Sequence, residues 1–152
     1  MDDIVVHKFG GSCLREGSDI DRIADSIRSI PGKPIVVVSA LWGMTDRLIR
    51  AAREPHYAGR LVNDLKSQHL LFSPGLDKGE FKKLFDKVIS GISKELVNIS
   101  GGESSLHSEN PILAAGERLS ALAVAHRLQT LGLNAHPVGA EDIGLKLKGK
   151  GR

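Results

Sequence analysis

The sequence predicts an α/β fold with parallel strands, and three observations carry that expectation. Ile4 to Phe9 (IVVHKF) is short and rich in β-branched residues, and Gly10-Gly11 bounds it, which suits a strand. Asp19 to Ile30 places Ile20, Ile23, Ala24, Ile27 and Ile30 at helical spacing, and Pro31-Gly32 ends the run. Pro34 to Ala40 (PIVVVSA) is a continuous apolar stretch, the pattern of a strand buried on both faces. Strand, helix and strand in that order make a βαβ unit, whose strands run parallel and whose crossover is right-handed.

The remaining elements follow by the same reasoning. Thr45 is placed to cap a helix over Asp46 to Arg53, with Asp46 favourable in its first turn. A more polar helical stretch spans Gly59 to Leu71. Phe81, Leu84, Phe85, Val88, Ile89, Ile92 and Leu96 then trace one stripe of an amphipathic helix. Ser100 to Asn110 (SGGESSLHSEN) is Gly/Ser-rich and reads as a surface loop. Asn110-Pro111 opens another helix, Gly132 stops it, and Asn134 to Val138 reads as a short strand. Neither an internal repeat nor an interdomain linker interrupts the chain.

Composition narrows the function classes. At 152 residues the chain is one domain or part of a larger one. Hydrophobic residues make up 41% but aromatics only 4%, so the core must be built from Ile, Leu, Val and Ala. The net charge of +3 is spread among acidic residues, without the basic stripe and stacking aromatics of a nucleic-acid binder. The alternating Lys146, Lys148, Lys150 and Arg152 read as solvated residues near a chain end. The single cysteine, Cys13, allows neither an intramolecular disulfide nor a metal cluster. The opening MDDIVVHKFGG carries acid where a signal peptide needs base, and no apolar run reaches the ~20 residues of a membrane span. A soluble cytoplasmic protein is the expectation.

Ligands of parallel α/β sheets bind at the carboxyl ends of the strands, where two polar, glycine-bearing segments fall. Lys8, Gly10, Gly11 and Ser12 leave the first strand; Ser39, Gly43 and Thr45 leave the second. Glycines let the backbone approach an anion, clustered N–H groups cradle phosphate oxygens, and a lysine adds a full charge to a transferring phosphoryl group. Taken singly, each has a plainer reading: a tight turn, a solvated lysine, a turn serine and a helix cap. Together they are more informative, because the topology brings both to one edge. The chain has neither G-x-x-x-x-G-K-[ST] nor G-x-G-x-x-G, which disfavours a P-loop enzyme or a dinucleotide-binding dehydrogenase. Glu117 shares a helical face with Leu113, Val124, Leu128 and Leu131, so it needs a cation or donors: an internal Arg or Lys, or a substrate ammonium. The six histidines show no ligand-like spacing.

Three ordered motifs resemble the aspartate kinases of the amino acid kinase family. Lys8-Phe9-Gly10-Gly11-Ser12 is similar to their KFGG[ST] opening, Val36 to Leu48 (VVVSALWGMTDRL) to their SA-x-G-x-TD-x-L segment, and Gly116 to Ser120 (GERLS) to their GE-x-LS helix. The likeness is strong over 4–50, good over 111–143 and compatible between them. It implies a three-layer α/β/α sandwich with a largely parallel sheet, of which 1–152 would be the N-terminal, amino-acid-binding part. The implied reaction transfers the ATP γ-phosphoryl to the β-carboxylate of L-aspartate, giving 4-phospho-L-aspartate, the first step towards lysine, threonine and methionine. On this resemblance Lys8 would stabilise the phosphoryl charge and Gly10, Gly11 and Ser12 would line the phosphate path. Ser39 and Thr45 would bond the acceptor, and Glu117 would hold its amino-acid end. ATP is a co-substrate, Mg2+ arrives with the nucleotide, and no protein-bound metal or organic cofactor is expected. The resemblance also implies a homo-oligomer, with the remainder of the kinase as a further partner.

Two departures from the family pattern stand out. Trp42 occupies a position where small residues, commonly glycine, are usual, and Cys13 replaces a small hydroxyl or valine-type residue. The later Gly-rich Arg/Ser/Asp segment, the adenine-binding half and the regulatory ACT domains have no counterpart in 1–152. Two other readings remain open: an amino acid kinase with a different acceptor, and a non-catalytic module that binds amino acid or phosphate or serves assembly.

Overall fold

The computed structural model describes residues 3–100, 109–140 and 142–144. Strand β1 (Ile4–Phe9) leads through a single 3-10 turn, Gly11–Cys13, to α1 (Asp19–Ser29) and then to β2 (Lys33–Val38). Four helices follow: α2 (Met44–Arg53), α3 (Pro55–Phe72), α4 (Phe81–Ser100) and α5 (Glu109–Thr130). The strands pair in parallel, with Ile4 opposite Lys33 and Phe9 opposite Val38, so the expected βαβ unit is present.

Side-chain alternation gives the sheet two unlike faces. His7 is buried and Val5, Phe9, Val36 and Val38 are half-buried, all on the face towards the helices. Ile4, Val6, Ile35 and Val37 occupy the opposite face and are exposed. The expectation that the second strand is buried on both faces is therefore corrected. The described helices cover one side of the sheet, and the apolar run of β2 presents its other side to solvent. The α/β class and the parallel strands stand as expected.

A single core joins the helices. Ile20, Ile23, Ala24 and Ile27 of α1, Phe81, Phe85, Ile89, Ile92 and Leu96 of α4, and Leu119, Val124 and Leu128 of α5 all contribute to it. Leucine, isoleucine and alanine dominate, as the composition required, although Phe72, Phe81 and Phe85 are buried among them. Helix α5 is central and contacts α1, α2, α3, α4 and β2. Its side chains are buried around much of its circumference, which explains the absence of a sharp polar face. Helix α3 begins at Pro55, four residues before the expected Gly59.

Local expectations fail at two points. Asn134 to Val138 forms no strand: the segment is held by Gln129 Nε2 donating to the Ala135 carbonyl at 2.9 Å, and among the described residues it has no ladder partner. Thr45 is not the cap of α2. Gly43, at φ 70°, occupies that position, no side-chain cap bond forms, and the helix starts at Met44. The expected loop over 100–110 lies mostly outside the described residues, with Ser100 ending α4 and Glu109 and Asn110 already in α5. The basic run 146–152 also lies outside them. Among the described residues no helix is long and apolar enough to cross a membrane.

Candidate active site

The carboxyl ends of β1 and β2 are tied together by backbone bonds. Ser39 N donates to the Phe9 carbonyl at 3.2 Å, extending the ladder one step past the strands, and Trp42 N donates to the Leu14 carbonyl at 3.1 Å. Between these bonds the loops touch, since a β-carbon on Gly11 would stand 3.0 Å from the Ala40 carbonyl oxygen. Cys13 N donates to the Gly10 carbonyl at 2.9 Å, closing the 3-10 turn. The Lys8 side chain folds over the same turn: a β-carbon on Gly10 would lie 3.5 Å from Lys8 Nζ. Lys8, Gly10, Gly11 and Ser39 are thus neighbours at one sheet edge, as the topology required.

Helix α5 reaches this edge through Gly116. A β-carbon there would overlap Leu48 Cδ1 of α2 and stand 3.8 Å from Ala40 Cβ, in the loop that follows Ser39. A side chain at this position would force Leu48, which is fully buried, to shift. Gly116→Ala is expected to destabilise the protein by roughly 1–3 kcal/mol, the usual cost of overpacking. Thermal midpoints of the single mutants and of Gly116→Ala/Leu48→Ala provide the check. The double mutant should lose less stability than the sum of the two, and strict additivity would show that the contact is not tight.

Gly116 carries Glu117 to the neighbourhood of the Ala40 loop, but not as the periodicity suggested. Glu117 is exposed. The stripe it shares is sealed only downstream, where Val124 and Leu128 are buried; Leu113, one turn before Glu117, is itself only half-buried. The carboxylate therefore needs no internal cation to offset burial. Thr45, in the first turn of α2, and Ser12, in the 3-10 turn, are exposed as well, while Ser39 is half-buried.

Two features escaped sequence reasoning. One is the role of Gly116, signalled only by its place in GERLS. The other is the stacking of the Arg15 guanidinium 4.5 Å from the centroid of the Trp42 ring, which no local pattern marks at Arg15. A groove of about 440 Å³ lies elsewhere, between α4, α5 and the segment after α5, with Leu84, Val88, Ile92, Ala115 and Leu122 in its wall. Its lining is largely apolar, and the polar groups gathered at the sheet edge are not part of it. Among the described residues no group of three or more His, Cys, Asp or Glu could hold a metal ion.

The amino acid kinase family model matches residues 3–151. The chain belongs to the amino acid kinase family. Within that family it is 28% identical over 152 residues to aspartokinase 3 of Bacillus subtilis, covering 92% of this chain and 32% of that protein. It is 29% identical over 147 residues to the chloroplastic aspartokinase 1 of Arabidopsis thaliana, covering 91% and 26%. The chain thus spans about a third or less of the length of these curated relatives. Its fold is similar to that of E. coli aspartokinase III crystallised with aspartate and ADP, with a TM-score of 0.75 at 22% identity, covering 86% of this chain and 30% of that one.

Proposed function

We propose that this amino acid kinase chain is the N-terminal, acceptor-binding and phosphate-contacting part of an aspartate kinase, transferring the γ-phosphoryl of ATP to the β-carboxylate of L-aspartate. The observation that supports this most is the joining of the two strand-end loops, which sets Lys8 and the Gly10-Gly11 turn beside Ser39. The named aspartokinase relatives favour aspartate as the acceptor.

In this reading an oxygen of the aspartate β-carboxylate attacks the γ-phosphorus in line, the bond to the bridging oxygen breaks, and ADP leaves with the electron pair. Charge spreads over the equatorial phosphoryl oxygens, where the Lys8 ammonium and the N–H groups around Gly10, Gly11 and Ser12 face it. Ser39 and Thr45 orient the acceptor by hydrogen bonds. The Thr45 hydroxyl is not engaged in capping α2, which supports that role. Glu117, exposed next to the α5–α2 crossing, receives the α-ammonium. Mg2+ arriving with the nucleotide would supply charge neutralisation at its phosphates. No covalent intermediate on the protein is required; positioning and charge stabilisation carry the reaction.

The test is a coupled ADP-release assay with Mg-ATP and L-aspartate. It is run on the 152-residue chain alone and on a chimera joining this chain to the part of Bacillus subtilis aspartokinase 3 beyond the match. The chain alone is expected to show no aspartate-dependent release, because a misplacement of about 1 Å between reactants can cost ~10²-fold and only part of the kinase is present to fix them. The chimera should release ADP with L-aspartate. Release with L-glutamate but not L-aspartate would assign a different acceptor, and aspartate-dependent turnover by the chain alone would show it to be a sufficient enzyme.

A further inference from the structure

Trp42 is the chain's single tryptophan and is 58% exposed, so its ring contributes little to the core. Its backbone is nonetheless fixed, because Trp42 N donates to the carbonyl of Leu14, a residue with no exposed surface. Arg15 follows Leu14 and is held from the other side. Asp19 Oδ2 accepts from Arg15 N at 2.8 Å and from Glu16 N at 3.0 Å. The Arg15 side chain therefore leaves a pinned backbone a few residues past Gly11, and its guanidinium lies against the indole. The Asp19 carboxylate is occupied by backbone donors, and among the described residues no carboxylate pairs with the guanidinium.

A guanidinium held over an aromatic face keeps the N–H groups turned away from the ring available and loses little freedom when it binds, and its planar fork matches two oxygens of a carboxylate or phosphate. We propose that Arg15, backed by Trp42, is an anion-binding arm of the candidate site and takes a pair of oxygens from the bound ligand. The inference rests on the reading of the joined loops as the ligand site and adds to it a specificity-determining pair. The oxygens belong either to a phosphate group or to the carboxylate of the acceptor, and the two sources are separable by experiment.

The full 152-residue chain and its Arg15→Gln, Arg15→Lys and Lys8→Ala variants are titrated with inorganic pyrophosphate and, separately, with L-aspartate. Binding is followed by calorimetry and by the emission of Trp42, with thermal midpoints confirming that each variant is folded. Arg15→Gln is expected to weaken one of the two probes by about tenfold or more, the effect of losing a charge-assisted hydrogen-bonded pair. The probe affected identifies the source. Arg15→Lys should recover only part of the affinity, because an ammonium lacks the planar fork, and that probe should shift Trp42 emission in the wild type. Arg15→Gln binding both probes within about twofold of wild type, while Lys8→Ala loses binding, would overturn the arm and leave the site standing. Loss in Arg15→Gln with Lys8→Ala unaffected would support the arm and remove Lys8 from the site. A folded wild type that binds neither probe would overturn both.

Discussion

Replacing Lys8 by alanine is expected to lower aspartate-dependent turnover of the chimera by roughly 10²-fold or more, the scale seen when a preorganised donor to transition-state charge is removed. The Lys8 side chain is exposed, and its ammonium lies over the Gly10 turn, at the strand end where the phosphate path is proposed. Its interaction strengthens as charge develops on the transferring group, so the loss should fall on kcat and kcat/KM together, while KM for aspartate moves little. Lys8→Arg keeps the charge but not the compact geometry and should recover part of the rate. Steady-state kinetics of the three proteins decide the matter, and near-wild-type kcat in Lys8→Ala would make Lys8 a bystander.

A second large effect is expected in stability at acid pH. His69 of α3 has no exposed surface; its Nδ1–H donates to the Leu65 carbonyl at 2.7 Å, and its Nε2 has no partner. Burial pushes its pKa down to about 4, outweighing the opposing effect of the Leu65 bond. Above the ordinary histidine value of 6.5 both folded and unfolded chains are neutral here, and the residue adds no pH dependence. As pH falls from there towards 4, the unfolded chain takes up a proton that the folded one refuses, and stability is lost, by roughly 3 kcal/mol across the window. His126, which shares a 2.6 Å hydrogen bond with Ser73, is also depressed by burial and acts in the same direction. A loss of that size is a large fraction of a domain's net stability. Urea unfolding of the wild type and His69→Leu across this range isolates the effect from carboxylate titration. The variant should lose less stability on acidification, whereas parallel curves would show that His69 is protonated without penalty in the folded state.

Much of the fold was legible because it is written in short-range patterns. The Ile20, Ile23, Ala24 and Ile27 spacing, the β-branched runs at Ile4 and Ile35, and the Phe81 to Leu96 stripe each encode an element locally, and each is present. Pattern and element parted where the outcome depended on a distant partner. Asn134 to Val138 has strand composition but nothing to pair with among the described residues. The apolar run of β2 suggested two buried faces, but one face is half-buried and the other exposed, because burial is decided by what packs on the sheet rather than by the strand's own residues.

The candidate site divides in the same way. By itself the sequence determined which chemical groups are available and the order in which they come: Lys8, the Gly10-Gly11 turn, Ser39, Thr45 and Glu117. It also determined that the first two segments leave parallel strands at the same edge, because a helix between two adjacent parallel strands permits no other arrangement. Only the tertiary structure decided how close those segments come and what joins them. The Ser39 to Phe9 bond, the contact of Gly11 with Ala40 and the passage of Gly116 over Leu48 all link residues far apart in the chain. The exposure of Glu117 and the stacking of Arg15 on Trp42 belong to the same class. Such contacts depend on how whole elements pack, and that packing is set by the sum of many core contacts rather than by any motif that one segment carries.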